Sequence, residues 1–178
     1  MPPLTRMTIA LDEESERILK NLANETGVSY SALVRTALKF FSQNREFTKN
    51  LEKTKLWSNL LQSGEHIILD IDHWLLFLKY IGSSGKKESF YQDGKKVAKS
   101  HAEQLAKITP TPEEYLKRLE ACNLYKLSKN SEDEYTLILN SGLTKRFVKE
   151  LISETLTEMG FDIDMKEDMM KLRIKITR

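Results

Sequence analysis

The first forty-one residues constrain this chain most tightly, because they contain a strand pattern with nothing nearby to pair with. From Thr5 to Leu11, Met7, Ile9 and Leu11 alternate with Arg6, Thr8 and Ala10. That period of two puts apolar side chains on one face and the others outward. A helix is predicted from Asp12 to Thr26 and another from Ser29 to Phe41, separated by Gly27-Val28. A lone strand with one apolar face is unstable and needs a partner. The simplest partner is a second copy of the chain, which predicts an antiparallel two-stranded ribbon across a homodimer. A ribbon of that width fits the major groove of double-stranded DNA, where Arg and Thr can read base edges.

The two helices carry matching local signals. Asp12 is a good N-cap, and Glu13, Glu14 and Glu16 favour the first turn through the helix dipole. Ile18, Leu19, Leu22 and Ala23 form one apolar stripe, and Gly27 suits a left-handed C-terminal cap. Ser29 is placed to cap the second helix, whose buried face is predicted as Ala32, Leu33, Leu38 and Phe41, with Val34 and Ala37 alongside. Free N–H groups near Ser29, Tyr30 and Ser31 can hold a phosphate oxygen. Through Arg6-Met7-Thr8-Ile9-Ala10-Leu11-Asp12-Glu13 and Gly27-Val28-Ser29-Tyr30-Ser31-Ala32-Leu33-Val34, the chain resembles the ribbon-helix-helix family of repressors, the Arc, MetJ and CopG type.

That resemblance covers about the first quarter of the chain and implies the following roles. Arg6, Thr8 and Ala10 become the base-contacting residues, and Ser29, Tyr30 and Ser31 the phosphate-contacting ones. Ala10 stands where a polar residue is often found; it can touch a thymine methyl but cannot donate a hydrogen bond. Charge adds little, since 28 basic residues face 26 acidic ones for a net charge of +2. Phosphate contacts would come partly from backbone amides, which predicts only moderate non-specific affinity.

Length leaves room for one further domain of ordinary size. The expected division is 1–43 for DNA binding and dimerisation, 44–64 for a linker or helix, and 65–178 for an α+β sensor or assembly domain. Leu56, Trp57, Leu60 and Leu61 form a small helical stripe within that linker. His66 to Ile71 is a short apolar run predicted as a buried strand, with Asp72 capping the next helix. In that helix, Trp74 to Leu78, Tyr80 and Ile81 are so apolar that burial on more than one side is expected, in a core or at a subunit contact.

The C-terminal pattern is the most regular. Phe90 to Ile108 reads as a basic helix, and Thr111-Pro112-Glu113-Glu114 as a capping box opening a helix to Ala121. Asn123 to Lys129 and Glu134 to Leu139 are predicted to pair as a hairpin. A helix follows, with Leu143, Phe147, Val148, Leu151, Ile152, Leu156 and Met159 on one face, closed by Gly160. Phe161, Ile163 and Met165 alternate with charged residues, as do Met170, Leu172, Ile174 and Ile176, which predicts a second hairpin turning at Glu167-Asp168. The expected fold class is α+β: an N-terminal ribbon-helix-helix followed by an antiparallel sheet with helices on one face. The order of elements resembles small-molecule sensor domains of the 4-vinyl reductase type, in topology only. The cysteine-rich positions of some such domains are absent, so no ligand carries over.

Catalysis finds no support. Cys122, the one cysteine, has no nucleophile motif around it and reads as a buried structural thiol. Gly82-Ser83-Ser84-Gly85-Lys86-Lys87 has the wrong spacing for a phosphate loop. His66, Asp70, Asp72, His73 and Cys122 are ligand-type side chains, but their spacing lacks a paired-histidine pattern, and Asp70 and Asp72 read better as a strand end and a cap than as metal ligands. Lys86, Lys87, Lys95, Lys96 and Lys99 read as a solvated basic face rather than a DNA contact. No cofactor, metal site or enzymatic activity is expected. A single cysteine and the lack of any apolar membrane-length run predict a cytoplasmic protein.

The expected function is a homodimeric, sequence-specific DNA-binding transcription regulator, able to pair into tetramers and to respond to a small-molecule effector through its C-terminal domain. The alternative is an antitoxin that regulates its own operon and neutralises a toxin through its C-terminal part. Such tails are usually disordered until bound, unlike this strongly patterned one. An enzyme or binding protein that uses its N-terminus only to dimerise is the third reading.

Overall fold

The computed structural model describes residues 6–64 and 66–178. The chain divides into two compact units, Met1–Thr54 and Lys55–Arg178.

In the first unit, Asp12 caps α1 (Glu13–Thr26) by accepting a hydrogen bond from the Ser15 amide at 2.7 Å. Gly27 ends it in the left-handed region at φ 70°, where its own N–H returns to the Ala23 carbonyl. A side chain there would be strained, so the glycine is required by the cap. The second helix, α2 (Tyr30–Gln43), packs on α1. Their half-buried apolar residues are Leu19 and Ala23 on α1 and Ala32, Leu33 and Val34 on α2, whereas Ala37, Leu38 and Phe41, expected on the buried face of α2, are exposed because the two helices share only one seam. A short helix α3 (Arg45–Thr48) and the start of α4 (Leu51–Gln62) complete the unit. Among its described residues not one is buried.

The expected N-terminal ribbon is not present. Thr5 lies outside the described residues, and residues 6–11 form no strand. Every strand among the described residues lies between Tyr125 and Thr177. Alternation fixes which side chains share a face, but a strand exists only where its backbone groups find a partner. The four C-terminal strands pair with one another in one sheet, whereas residues 6–11 join no ladder among the described residues. The α+β class therefore holds through the second unit alone, and the ribbon-helix-helix half of the expected architecture reduces to a helix pair.

The second unit is an antiparallel four-stranded sheet of order β1-β2-β4-β3, built from β1 (Tyr125–Lys129), β2 (Glu134–Leu139), β3 (Asp162–Asp168) and β4 (Lys171–Thr177). Both hairpins form as the alternation predicts, although the second turns at Met169-Met170, beyond Glu167-Asp168, with Met169 at φ 44°. Tyr135, Leu137 and Leu139 from β2 and Leu172, Ile174 and Ile176 from β4 point to the same buried face. Against it lie α7 (Pro112–Ala121) and α8 (Lys145–Glu158), which bury Tyr115, Leu116, Val148, Ile152 and Leu156. The opposite sheet face is wet and carries a charge ladder, Asp164 opposite Lys175 and Asp168 opposite Lys171. Cross-strand pairs of opposite sign support the register.

Two further helices precede this core, α5 (Ile71–Ser83) and α6 (Lys87–Leu105). The expected buried strand at His66 to Ile71 is a second correction. Residues 66–70 are irregular, Ile67 and Ile68 are exposed, and Ile71 already begins α5. Asp70 caps that helix by accepting from the Asp72 and His73 amides at 2.9 and 3.3 Å, so the cap falls two residues before Asp72. Arg146 joins α8 to α6: it stacks on the Tyr91 ring at 3.8 Å and holds Glu88 with two hydrogen bonds of 2.6 and 2.7 Å.

Candidate nucleic-acid interface

The start of α2 differs from the start of α1 in how its N–H groups are used. At α1, the Asp12 carboxylate accepts from the Ser15 amide, and Glu13, Glu14 and Glu16 stand in the first turn against the dipole. At α2, Ser29 has the extended backbone of an N-cap, φ −65° and ψ 149°, but its hydroxyl makes no capping hydrogen bond. No acidic residue stands in the first turn. The Ala32 and Leu33 amides both turn back to the Ser29 carbonyl at 3.0 and 2.9 Å. The amides of Ser29, Tyr30 and Ser31 precede that point, where the first N–H groups of a helix have no intrahelical acceptor. An uncapped, acid-free helix start is a ready anion site.

Ser29, Tyr30 and Ser31 are all exposed, and the chain order brings them together at this one helix start. Arg6, Thr8 and Ala10 are exposed in the segment before α1. They share no strand and no described hairpin.

One residue escaped the sequence reading. Lys20 pairs with Glu16 at 2.6 Å, and that hydrogen bond, with the charge of Glu16, raises the lysine's pKa. The Tyr30 phenol makes the smallest contribution to the same shift. The spacing of Glu16 and Lys20, four apart on one helix, is the signal that could have found the pair.

Other expected chemistry stays apart. Among the described residues no three His, Cys, Asp or Glu side chains gather to hold a metal. Asp70 is spent on the cap of α5, and Cys122, expected to be buried, is instead exposed because it falls at the C-cap of α7. An open groove of about 590 Å³ runs along α8, lined by Lys145, Arg146, Lys149, Glu150, Glu154 and Glu167 among others. Most of its charges are already matched: Arg146 with Glu150 at 3.1 Å, Lys149 with Glu167 at 2.7 Å, and Glu154 with Lys95 at 2.6 Å. Among the described residues no helix is long and apolar enough to cross a membrane.

No protein-family model, curated protein or solved structure matches this chain.

Proposed function

We propose that this chain is a sequence-specific DNA-binding transcription regulator that acts as a homodimer and works in the cytoplasm. The observation that carries the reading is the unfilled start of α2 on a helix pair with no core of its own. Leu38, Phe40 and Phe41 are each more than half exposed, and Ile18 and Leu22 nearly so. A helix pair in that state gains its hydrophobic stabilisation from a second copy. Pairing also doubles the anion sites, giving two helix starts that grip two phosphates and fix the protein's position on a duplex. Arg6 and Thr8, in the exposed segment before α1, are the base-reading candidates, with Ala10 offering only apolar contact. The second unit then serves sensing or assembly. Its packed core speaks against the antitoxin reading, which calls for a tail that orders only on its toxin.

Fluorescence anisotropy on DNA from upstream of the protein's own gene, against scrambled DNA, tests this. Arg6→Ala or Thr8→Ala should each cost about 1–3 kcal/mol on the specific duplex and far less on the control. Ser29→Ala should weaken both duplexes alike. Wild-type protein that binds the upstream and scrambled DNA equally, with Arg6→Ala without effect, would sink the proposal.

A further inference from the structure

The outward face of α5 is apolar, and its charges are arranged to match a second α5 running the other way. Trp74, Leu75, Leu78 and Ile81 form the inward face, with Leu78 buried and the Trp74 ring edge-on to Phe147 at 4.8 Å. The opposite face shows Leu76, Phe77 and Tyr80, at 44%, 50% and 68% exposure. Ile67 and Ile68, in the segment leading into the helix, are 83% and 85% exposed. Together these five side chains offer several hundred Å², the scale of the roughly 800 Å² that each partner buries in a standard interface. Monomeric proteins rarely leave an apolar patch of that size uncovered. The extreme hydrophobicity of this helix called for burial on two sides, and the chain buries one.

We infer that this face of α5 is a second self-association surface, on which two copies pair their α5 helices antiparallel across a two-fold axis near Leu76. The charges favour a second copy over an unrelated partner. Asp72 stands one turn before Leu76 and Lys79 nearly one turn after it, so all three lie on one side of the helix. Neither Asp72 nor Lys79 makes an ion pair with another described residue. An antiparallel copy brings Asp72 of each chain beside Lys79 of the other, twice, around an apolar centre. This is the self-complementary pattern an isologous interface needs. Pairing through α5 in addition to the first unit builds a dimer of dimers. It stands independently of DNA binding, because it uses only residues of the second unit.

Sedimentation velocity of the full chain at low salt, over a range of concentrations, tests it. Phe77→Glu should halve the assembled mass while circular dichroism stays unchanged. Asp72→Lys and Lys79→Asp should each weaken association, by about tenfold if the two symmetric contacts together supply 1.4 kcal/mol. The double variant Asp72→Lys with Lys79→Asp should restore association, because the two positions are too far apart on one helix to pair with each other. A Phe77→Glu protein with the wild-type mass at every concentration overturns the inference. So does a double swap as weak as either single one, or wild-type protein that stays monomeric throughout. Anisotropy on the same samples separates this from the proposed function: failure of wild type to bind DNA leaves the mass results standing, and an unchanged mass leaves DNA binding standing.

Discussion

The two units are made from similar amphipathic helices, yet only one closes over a core. In the second unit, α7 and α8 lay Leu116, Val148, Ile152 and Leu156 against the sheet, and each of these side chains is fully buried. In the first, α1 and α2 pack on each other and bury nothing completely. Two helices make only one shared seam, so a helix pair leaves much of each apolar stripe in water. A sheet supplies a broad apolar plane that covers the stripe. The contrast teaches that the sheet-and-helix core of the second unit closes within one chain, whereas the first unit's apolar residues are spent only when another surface meets them.

The sharpest way to break that contrast is to cut the same kind of side chain in both. Leu156→Ala on α8 should cost about 2–5 kcal/mol, as for other fully buried leucines. The loss should not depend on protein concentration, and denaturant titration of the second unit's transition measures it. Leu38→Ala, at a side chain 65% exposed in the chain, should behave differently. In dilute solution it should change stability by no more than about 0.5 kcal/mol. Where copies pair, the loss should rise toward the roughly 1.5–3 kcal/mol of a newly buried leucine, and the melting temperature should become concentration-dependent. A Leu38→Ala effect that is large at every dilution would mean the first unit has a core after all.

Capping sharpens the same difference at smaller scale. At α7, Thr111 and Glu114 close a reciprocal capping box, the Thr111 hydroxyl accepting from the Glu114 amide at 3.3 Å and the carboxylate from the Thr111 amide at 3.2 Å. At α2, Ser29 caps nothing with its side chain. Thr111→Ala should therefore cost about 1 kcal/mol, and Ser29→Ala should stay within about 0.5 kcal/mol. Thermal melts of the two variants side by side decide it. A Ser29→Ala loss equal to that of Thr111→Ala would show the hydroxyl engaged in capping and remove it from the anion site.

What could be read from the sequence follows the range of the interactions. The hairpins at 125–139 and 162–177 were legible because each strand's partner lies a short turn away, and alternation plus turn residues state the pairing locally. The capping box was legible for the same reason. The join of β2 to β4, with Tyr135 opposite Ile174, spans about forty residues and left no local trace. Arg146 with Glu88 and Tyr91 is another such link, made between helices α8 and α6. The misread segments share one cause. Residues 6–11 and 66–71 display which side chains avoid water, but not whether this chain offers them a place. At the candidate DNA surface, Ser29 to Ser31 could be found because they are contiguous at a helix start.

The smallest expected effect concerns pH, and it belongs to the complete unit. Glu113 meets Lys117 at 2.8 Å and Lys129 at 2.6 Å, one on its own helix and one on β1. The hydrogen bond from Lys117, and then that from Lys129, hold its carboxyl down to about 2 from an ordinary 4.5. Folding thus favours the charged form, so the stabilisation is fully present above about pH 4.5 and is lost as the pH falls toward about 2. The group is solvent-accessible, and screening keeps the contribution small. Glu113→Gln should therefore lower the melting temperature slightly near neutral pH, and the gap from wild type should close as both are titrated from pH 4.5 downward. Asp12 in the first unit is also held below its ordinary pKa, chiefly by its hydrogen bond from the Ser15 amide, but it pairs with no cation among the described residues. The Glu113 gap should shrink with added salt, whereas the loss from Asp12→Asn should respond far less, because a backbone cap within one turn carries no second charge to screen. Equal salt sensitivity at the two sites would mean that the link from α7 to β1 contributes nothing beyond what a lone helix cap provides.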